Sequence, residues 1–437
     1  YHVVDMIPAD DRPVVFIGPY EHHSNELPWR ESIADVVIIS EDADGHVDLD
    51  HLRSELTAYA GRSTKIGSFA AASNVTGIIT DTIAVSTLLH EHGALSLWDY
   101  AAAAPYVPID MGSSADGNLA YKDAVFISPH KLIGGPGTPG VLVARRELFG
   151  NRVPDVPGGG TVRYVSTDEH DYHHEIEHRE EAGTPAIVES IRAGLVFQLK
   201  EAVGPDVIEA REAEFVHRAI HRWEENPNIN VLGSHEADRL SIVSFVIRHD
   251  ERYLHHNYVV ALLNDVFGIQ SRGGCSCAGP YGHRLLGIDI DRSHEFQREI
   301  NRGCEGIKPG WVRVNFNYFI DEATYDYIVD AVDLVASQGV HLLPMYDFEP
   351  DSGLWHHRHG AHGPAMSLHE VSYAGGVMEF ENRRHTEPID LARHLDDARA
   401  LFAAAYSEPA RACSHPETND DFEHLRWFPY PHDIAHA

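Results

Sequence analysis

The sequence predicts an α/β protein with a mostly parallel sheet between helices, followed by a smaller α+β domain. Three observations predict it. Short apolar runs alternate with helical stretches through the first half of the chain, and polar residues capable of chemistry fall where those runs end. Beyond about residue 205 the pattern changes to a long helix, an alternating strand and further helices.

Val14–Ile17 is a continuous apolar run of strand length. Thr64–Ala70 is a second strand and ends at the turn Ser73-Asn74-Val75-Thr76-Gly77. From Asp81 to His92 the apolar residues Ile83, Val85, Leu88 and Leu89 keep helical spacing, with a start at Thr80 or Asp81 and a stop at Gly93. Ala94–Trp98 is a buried strand ending in Asp99, and Ala124–Ile127 is another. Strand, helix, strand and a further strand give the βαβ arrangement of a parallel sheet, whose ligands lie beyond the carboxyl ends of the strands. A helix from Asp206 to Glu225 opens the smaller domain, which continues with the strand Leu240–Ile247 and the helix Tyr258–Val266, and closes with a helix over 322–337. The last hundred residues hold a solvated histidine-rich loop, Trp355–His362, and a helix opened by Pro388 that runs from Ile389 to Tyr406. The domain organisation expected is therefore 1–204, 205–340 and a C-terminal extension, 341–437.

The chain contains only five lysines, and one of them, Lys131, stands between the strand Ala124–Ile127 and the glycine- and proline-rich loop Leu132–Gly140. A lysine amine against apolar walls can lose its proton and condense with an aldehyde, the chemistry by which enzymes hold pyridoxal phosphate. Asn74, Asp99 and Lys131 all fall at strand ends of one sheet. A carboxylate such as Asp99 can keep a pyridine nitrogen protonated, Asn74 can donate to a ring hydroxyl, and Ser128 and His130 can hydrogen-bond a phosphate. The segment Glu21-His22-His23-Ser24-Asn25, after the first strand, offers a ring to stack on a flat cofactor. Gly158-Gly159-Gly160 marks a loop near the site.

These segments, with Pro28-Trp29, Ala182-Gly183-Thr184-Pro185 and Arg272-Gly273-Gly274-Cys275-Ser276-Cys277-Ala278-Gly279-Pro280, resemble in order the motifs of class V aminotransferases. The resemblance runs from about residue 14 to about 335 and is greatest to the cysteine desulfurase and selenocysteine lyase branch. It implies fold type I and a pyridoxal-phosphate enzyme acting on an amino acid. Lys131 would carry the cofactor as a Schiff base, His22 would stack on its ring, Asp99 would pair with the pyridine nitrogen, and Asn74 would contact the ring oxygen. Ser128 and His130 would bind the phosphate, Thr184 would reach the phosphate of the neighbouring subunit in a homodimer, and Arg313 would clamp the substrate carboxylate. Cys277 would form a persulfide, with Arg272 beside it and a sulfur-acceptor protein downstream. Transamination, epimerisation, β-elimination and a non-catalytic protein retaining the fold are the alternatives. Ala102 stands where the family usually has a glutamine. The family's glycine- and threonine-rich phosphate cup has no counterpart before Glu21, so the chain is expected to lack an N-terminal part. The C-terminal extension also falls outside the family pattern. Cys275, two residues before Cys277, lies where relatives often carry histidine.

Composition narrows the partners. With 34 basic against 67 acidic residues the net charge is −33, which disfavours nucleic acid and anionic membranes. No apolar run approaches the ~20 residues that cross a bilayer. Four irregularly spaced cysteines argue against a disulfide framework and against a zinc site, and imply a reducing cytoplasm.

Overall fold

The computed structural model describes residues 6–360, 367–380, 390–407 and 416–434. The large domain runs β1 (Val14–Ile17), α1 (His23–Arg30), β2 (Asp35–Ile38), α2 (Leu49–Ala58), β3 (Lys65–Ala70), α3 (Thr82–Glu91), β4 (Leu95–Asp99), β5 (Ala124–Ile127) and β6 (Val141–Ala144). A hairpin of β7 (Val162–Val165) and β8 (His170–Tyr172), a short α4 (Ile176–Arg179) and α5 (Ile187–Val203) complete it. The six-stranded sheet has the order β2-β1-β3-β4-β5-β6; its first five strands are parallel and β6 is antiparallel to β5. All four residues of β1 are buried, which explains its unbroken apolar run. Asp81 caps α3 by accepting from the N–H groups of Ile83 and Ala84, and Gly93 ends the turn after it in a left-handed conformation.

The smaller domain follows with α6 (Pro205–Glu224), β9 (Ile229–Val231), β10 (Val243–His249), β11 (Arg252–Tyr253), α7 (His256–Phe267), β12 (Arg272–Gly274), α8 (Gly279–Leu285), α9 (Ile290–Asn301), β13 (Trp311–Val314) and α10 (Glu322–Gln338). Its antiparallel sheet has the order β11-β10-β13-β12, with β9 also on β10. The expected strand at Leu240–Ile247 begins three residues late. Leu240 N–H donates to the Gly77 carbonyl, so this segment is drawn onto the Ser73–Gly77 turn of the large domain before it can join the sheet. The stretch Glu322–Met345 corrects the reading that no run is long and apolar enough to span a membrane: by length and composition it is, and it lies in the core against α6 and α7.

The C-terminal extension holds β14 (Tyr346–Glu349), β15 (Leu354–His357), α11 (Leu391–Ser407), α12 (Asp420–Leu425) and α13 (Pro431–Ile434). The expected solvated loop at Trp355–His362 is in part a strand: β15 pairs antiparallel with β14, and Trp355 is buried against Phe348 and Tyr258. Alternation of the buried Trp355 with histidines is the period-two pattern of a half-buried strand. His362, Pro388, Ile389 and Cys413 lie outside the described residues. Phe348, Trp355, Phe402, Phe422 and Phe428 share one apolar cluster with Phe245, Tyr258 and Trp223, so the extension completes the smaller domain's core.

Candidate active site

The sheet order changes direction at β1, with β2 on one side and β3 on the other, and a crevice opens beyond the carboxyl ends of these strands. There a cavity of about 790 Å3 is lined by His22 after β1, Asn74 after β3, Asp99 at the end of β4, and Ser128, His130 and Lys131 after β5. Six residues predicted from separate motifs thus meet in one space. Ala102 lines the same cavity, as do Ser24 and Trp29 of α1.

Local structure fixes each side chain. His22 caps α1, its Nδ1 accepting from the Ser24 N–H at 3.1 Å, so in the neutral ring the proton sits on Nε2. Burial and the nearby Lys131 hold its pKa below the ordinary histidine value. Asp99 Oδ1 accepts from the Ala101 N–H at 2.7 Å, which leaves Oδ2 directed to other partners. Burial raises the Asp99 carboxyl, opposed by that N–H and by Lys131 and His22. Lys131 sits in a single 3-10 turn, Pro129–Lys131, and is reachable from the cavity; desolvation by its walls lowers its pKa, opposed by Asp99 and reinforced by Arg313 and Arg272. Gly135 holds this turn closed, since a Cβ there would stand 1.9 Å from the Pro129 carbonyl oxygen.

Arg313 on β13 and Arg272 on β12 line an adjoining groove of about 900 Å3, whose far wall includes Leu391 and His394 of the extension. Arg313 Nη1 donates to the Asn74 carbonyl at 2.9 Å, while its buried Nε has no partner. Among the described residues neither arginine pairs with an acid, in a chain with twice as many acids as bases. Arg272 Nη2 lies 3.9 Å from Cys277 Sγ. The cysteine loop is tied to the large domain at three points: His23 N–H to the Cys277 carbonyl at 2.9 Å, Gly279 N–H to His23 Nε2 at 2.9 Å, and Asn74 Nδ2 to the Ser276 carbonyl at 2.6 Å. Ser276 and Cys277 are both left-handed, at φ 53° and 57°, in a turn closed by the Ala278 N–H on the Cys275 carbonyl. For non-glycine residues that conformation costs roughly 1–2 kcal/mol each, strain of the kind that gathers at functional sites.

Of the predicted residues, Arg272, Arg313 and Cys277 lie outside the lining of the Lys131 cavity, the two arginines in the adjoining groove, and Thr184 is exposed on the loop before α5. Gly158 and Gly160 pack against Ala182 and Glu181 of that loop.

Sequence reasoning missed Glu21 as a functional support. Its carboxylate is fully buried behind Asp99 and accepts from Gly18 N–H, Ala70 N–H and Asn25 Nδ2 at 3.1, 2.8 and 2.7 Å. Burial pushes it up to about 8. The signal available was an acid directly after an apolar strand and the turn Gly18-Pro19-Tyr20, with an amide one helical turn on.

The aminotransferase class-V family pattern matches residues 7–295, about two thirds of the chain. The chain belongs to the class V aminotransferase family. Class V aminotransferases are pyridoxal-phosphate-dependent enzymes of fold type I, and the site fits that cofactor. Asn74 Oδ1 is buried without a partner, an amine and a carboxylate face one cavity, and an imidazole is held edge-fixed beside them. A probable cysteine desulfurase of Streptomyces coelicolor is 30% identical over 336 residues, covering 76% of this chain and 71% of that protein. A cysteine desulfurase of Escherichia fergusonii is 29% identical over 61% of this chain, which spans 62% of that relative's length. Among class V structures, a cysteine desulfurase from Escherichia coli superposes with a TM-score of 0.61 at 25% identity, over 75% of this chain and 73% of its own.

Proposed function

We propose that this protein is a cysteine desulfurase-like enzyme that removes sulfur from cysteine through a persulfide on Cys277 and leaves alanine. One observation carries the reading: Cys277 Sγ lies 3.9 Å from Arg272 Nη2 on a loop anchored to Asn74, which lines the same cavity as Lys131.

Bound pyridoxal phosphate supplies an electron sink beside the substrate Cα. The chain's residues do the rest. Asp99, with Oδ1 on the Ala101 N–H, would hold the proton of the ring nitrogen through Oδ2, and His22, with Nδ1 committed to Ser24, would stack on the ring. Ser128 and His130 would bind the phosphate. Arg313 has Nη1 engaged on Asn74, so Nε and Nη2 form the free fork for a substrate carboxylate. Lys131, desolvated by the cavity walls, would give up and recover a proton at Nζ more readily than a solvated lysine. The Cys277 thiolate would attack the substrate sulfur; the new S–S bond forms as the C–S bond breaks, its electron pair stays on carbon, and that carbon takes up the proton the thiol gave up to become the methyl group of alanine.

The working unit in this reading is a homodimer. Ile187, Ile191, Leu195 and Leu199 form an exposed apolar stripe along α5, directly after Thr184, so a second copy seated on α5 would receive Thr184 near its phosphate site. The described cysteines are free, in keeping with a reducing cytoplasm, and the persulfide would pass to a sulfur-acceptor protein. A second reading is another class V activity, transamination, epimerisation or β-elimination, and Ala102 favours it: the cavity wall offers a methyl group where relatives offer an amide.

The test is a panel of amino acids offered to the pyridoxal-phosphate-loaded protein. Equal alanine and sulfane sulfur from cysteine support desulfuration. Keto acid or racemised product in their place supports the second reading and removes the first.

A further inference from the structure

We propose that Cys275 is a second sulfur carrier, which takes the sulfane sulfur from Cys277 and presents it on the opposite side of the loop. The proposal rests on the desulfurase reading and deepens it. Cys275 and Cys277 are the first and third residues of the turn closed by the Ala278 N–H on the Cys275 carbonyl. A tight turn brings such positions to about the Cα separation at which two cysteines bond, roughly 4.4–6.8 Å. Ser276 between them is buried and anchored through its carbonyl on Asn74, so the turn is held in place while its two thiols look different ways. Cys277 is half-buried and faces Arg272. Cys275 is exposed and lines a separate groove of about 440 Å3 with His283, Leu286, His294, Lys308 and Trp311. None of the cofactor-site residues lines that groove. A sulfur held on the half-buried Cys277 is less accessible, whereas one held on the exposed Cys275 is open to an acceptor.

The step balances without an added oxidant. The Cys275 thiolate attacks the outer sulfur of the Cys277 persulfide. A bond forms between Cys275 Sγ and that sulfur, the old S–S bond breaks, and its electron pair leaves on Cys277 Sγ. The Cys275 proton passes to the released Cys277 thiolate. The transferred sulfur keeps its oxidation state, and Cys277 is ready for another substrate.

The experiment uses the cofactor-loaded full chain without oxygen, with cysteine labelled at sulfur, followed by alkylation and trypsin. Gly273–Arg284 is released as one peptide carrying both cysteines, and fragments on either side of Ser276 locate the label. The wild type should carry persulfide label on Cys275 as well as Cys277. Cys275→Ser should release one equivalent of alanine, stall with the label on Cys277, and turn over about tenfold more slowly with a thiol acceptor, since thiol exchange depends on access to the sulfur attacked. Cys277→Ser should carry no label on either residue. Label confined to Cys277 in the wild type, or a Cys275–Cys277 disulfide with free sulfide, overturns the relay while leaving the desulfurase reading intact. Absence of alanine from the wild type overturns both.

Discussion

Replacing Ile191 by glutamate should break the proposed homodimer without unfolding the chain. Ile191 lies in the middle of the α5 stripe and is 62% exposed, with Ile187 at 60% and Leu195 at 57%. Covering a fully exposed isoleucine contributes about 1.5–3 kcal/mol, so covering the exposed three fifths contributes roughly 1–2 kcal/mol. A two-fold axis presents each residue twice, so Ile191→Glu should remove about 2–4 kcal/mol of association, before the cost of desolvating two carboxylates. At 1.4 kcal/mol per tenfold, the dimer should weaken by roughly one to three orders of magnitude. Sedimentation velocity over a dilution series reads this directly, and far-ultraviolet circular dichroism should match the wild type because the residue does not belong to the core. Mixing Lys131→Ala with Thr184→Ala chains should also restore partial activity through hybrid sites. A wild type that sediments as a monomer at micromolar concentration, or a variant that dimerises as tightly as the wild type, would refute the reasoning.

Lys131→Ala should abolish the borohydride-sensitive visible absorbance of the cofactor-loaded protein while leaving thermal unfolding nearly unchanged; persistence of that absorbance would place the Schiff base elsewhere. Asp99→Asn should still bind pyridoxal phosphate but turn over at least about a hundredfold more slowly, because an amide cannot hold the ring proton; unchanged kcat counts against the pairing. Glu21→Gln should flatten the dependence of stability on pH. The folded carboxyl, raised to about 8 from 4.5, binds a proton that the unfolded chain has released, so wild-type stability is full below 4.5 and declines as pH rises through 8. The decline is about 1.4 kcal/mol per pH unit in that window, and urea titrations at pH 5 and 7.5 should show it in the wild type but not in the variant. Parallel curves would mean that Glu21 is ionised throughout.

The parallel sheet and its cavity were legible because local signals agree there with the global arrangement. Apolar strands end at polar residues, Asp81 and Gly93 bracket α3, and the glycines after Lys131 can only be loop. Other features depend on neighbours distant in sequence. Glu21 reads as a surface acid until β1 and β3 close around it and supply two backbone N–H groups. The left-handed pair Ser276-Cys277 carries no glycine or asparagine to announce it, because anchoring by His23 and Asn74, not intrinsic preference, holds the conformation. β15 was hidden for a similar reason: two histidines on four residues look like loop, and only Tyr258 and Phe348 around Trp355 make the segment half-buried.

The position of the Cys277 sulfur is therefore set by residues that would take no part in the proposed sulfur chemistry. Asp99 ends β4 of the large domain's sheet, and His22 and Lys131 follow β1 and β5, whereas Cys277, Arg272 and Arg313 belong to the loop and strands of the smaller one. The two groups are joined by the bonds from His23, Gly279, Asn74 and Arg313, and three of these four end on a backbone carbonyl. Carbonyl anchors constrain where the loop lies but not which side chain it displays. Two cysteines can then occupy adjacent outlooks of one turn, and Ala102 can replace an amide on the far wall, while the distance from the loop to Lys131 stays fixed. Asn74 makes the coupling concrete: its amide nitrogen holds the cysteine loop, its carbonyl holds Arg313, and its Oδ1 is left without a protein partner in the cavity. A group bound against that oxygen would act at once on the loop that carries the sulfur and on the arginine that faces the substrate.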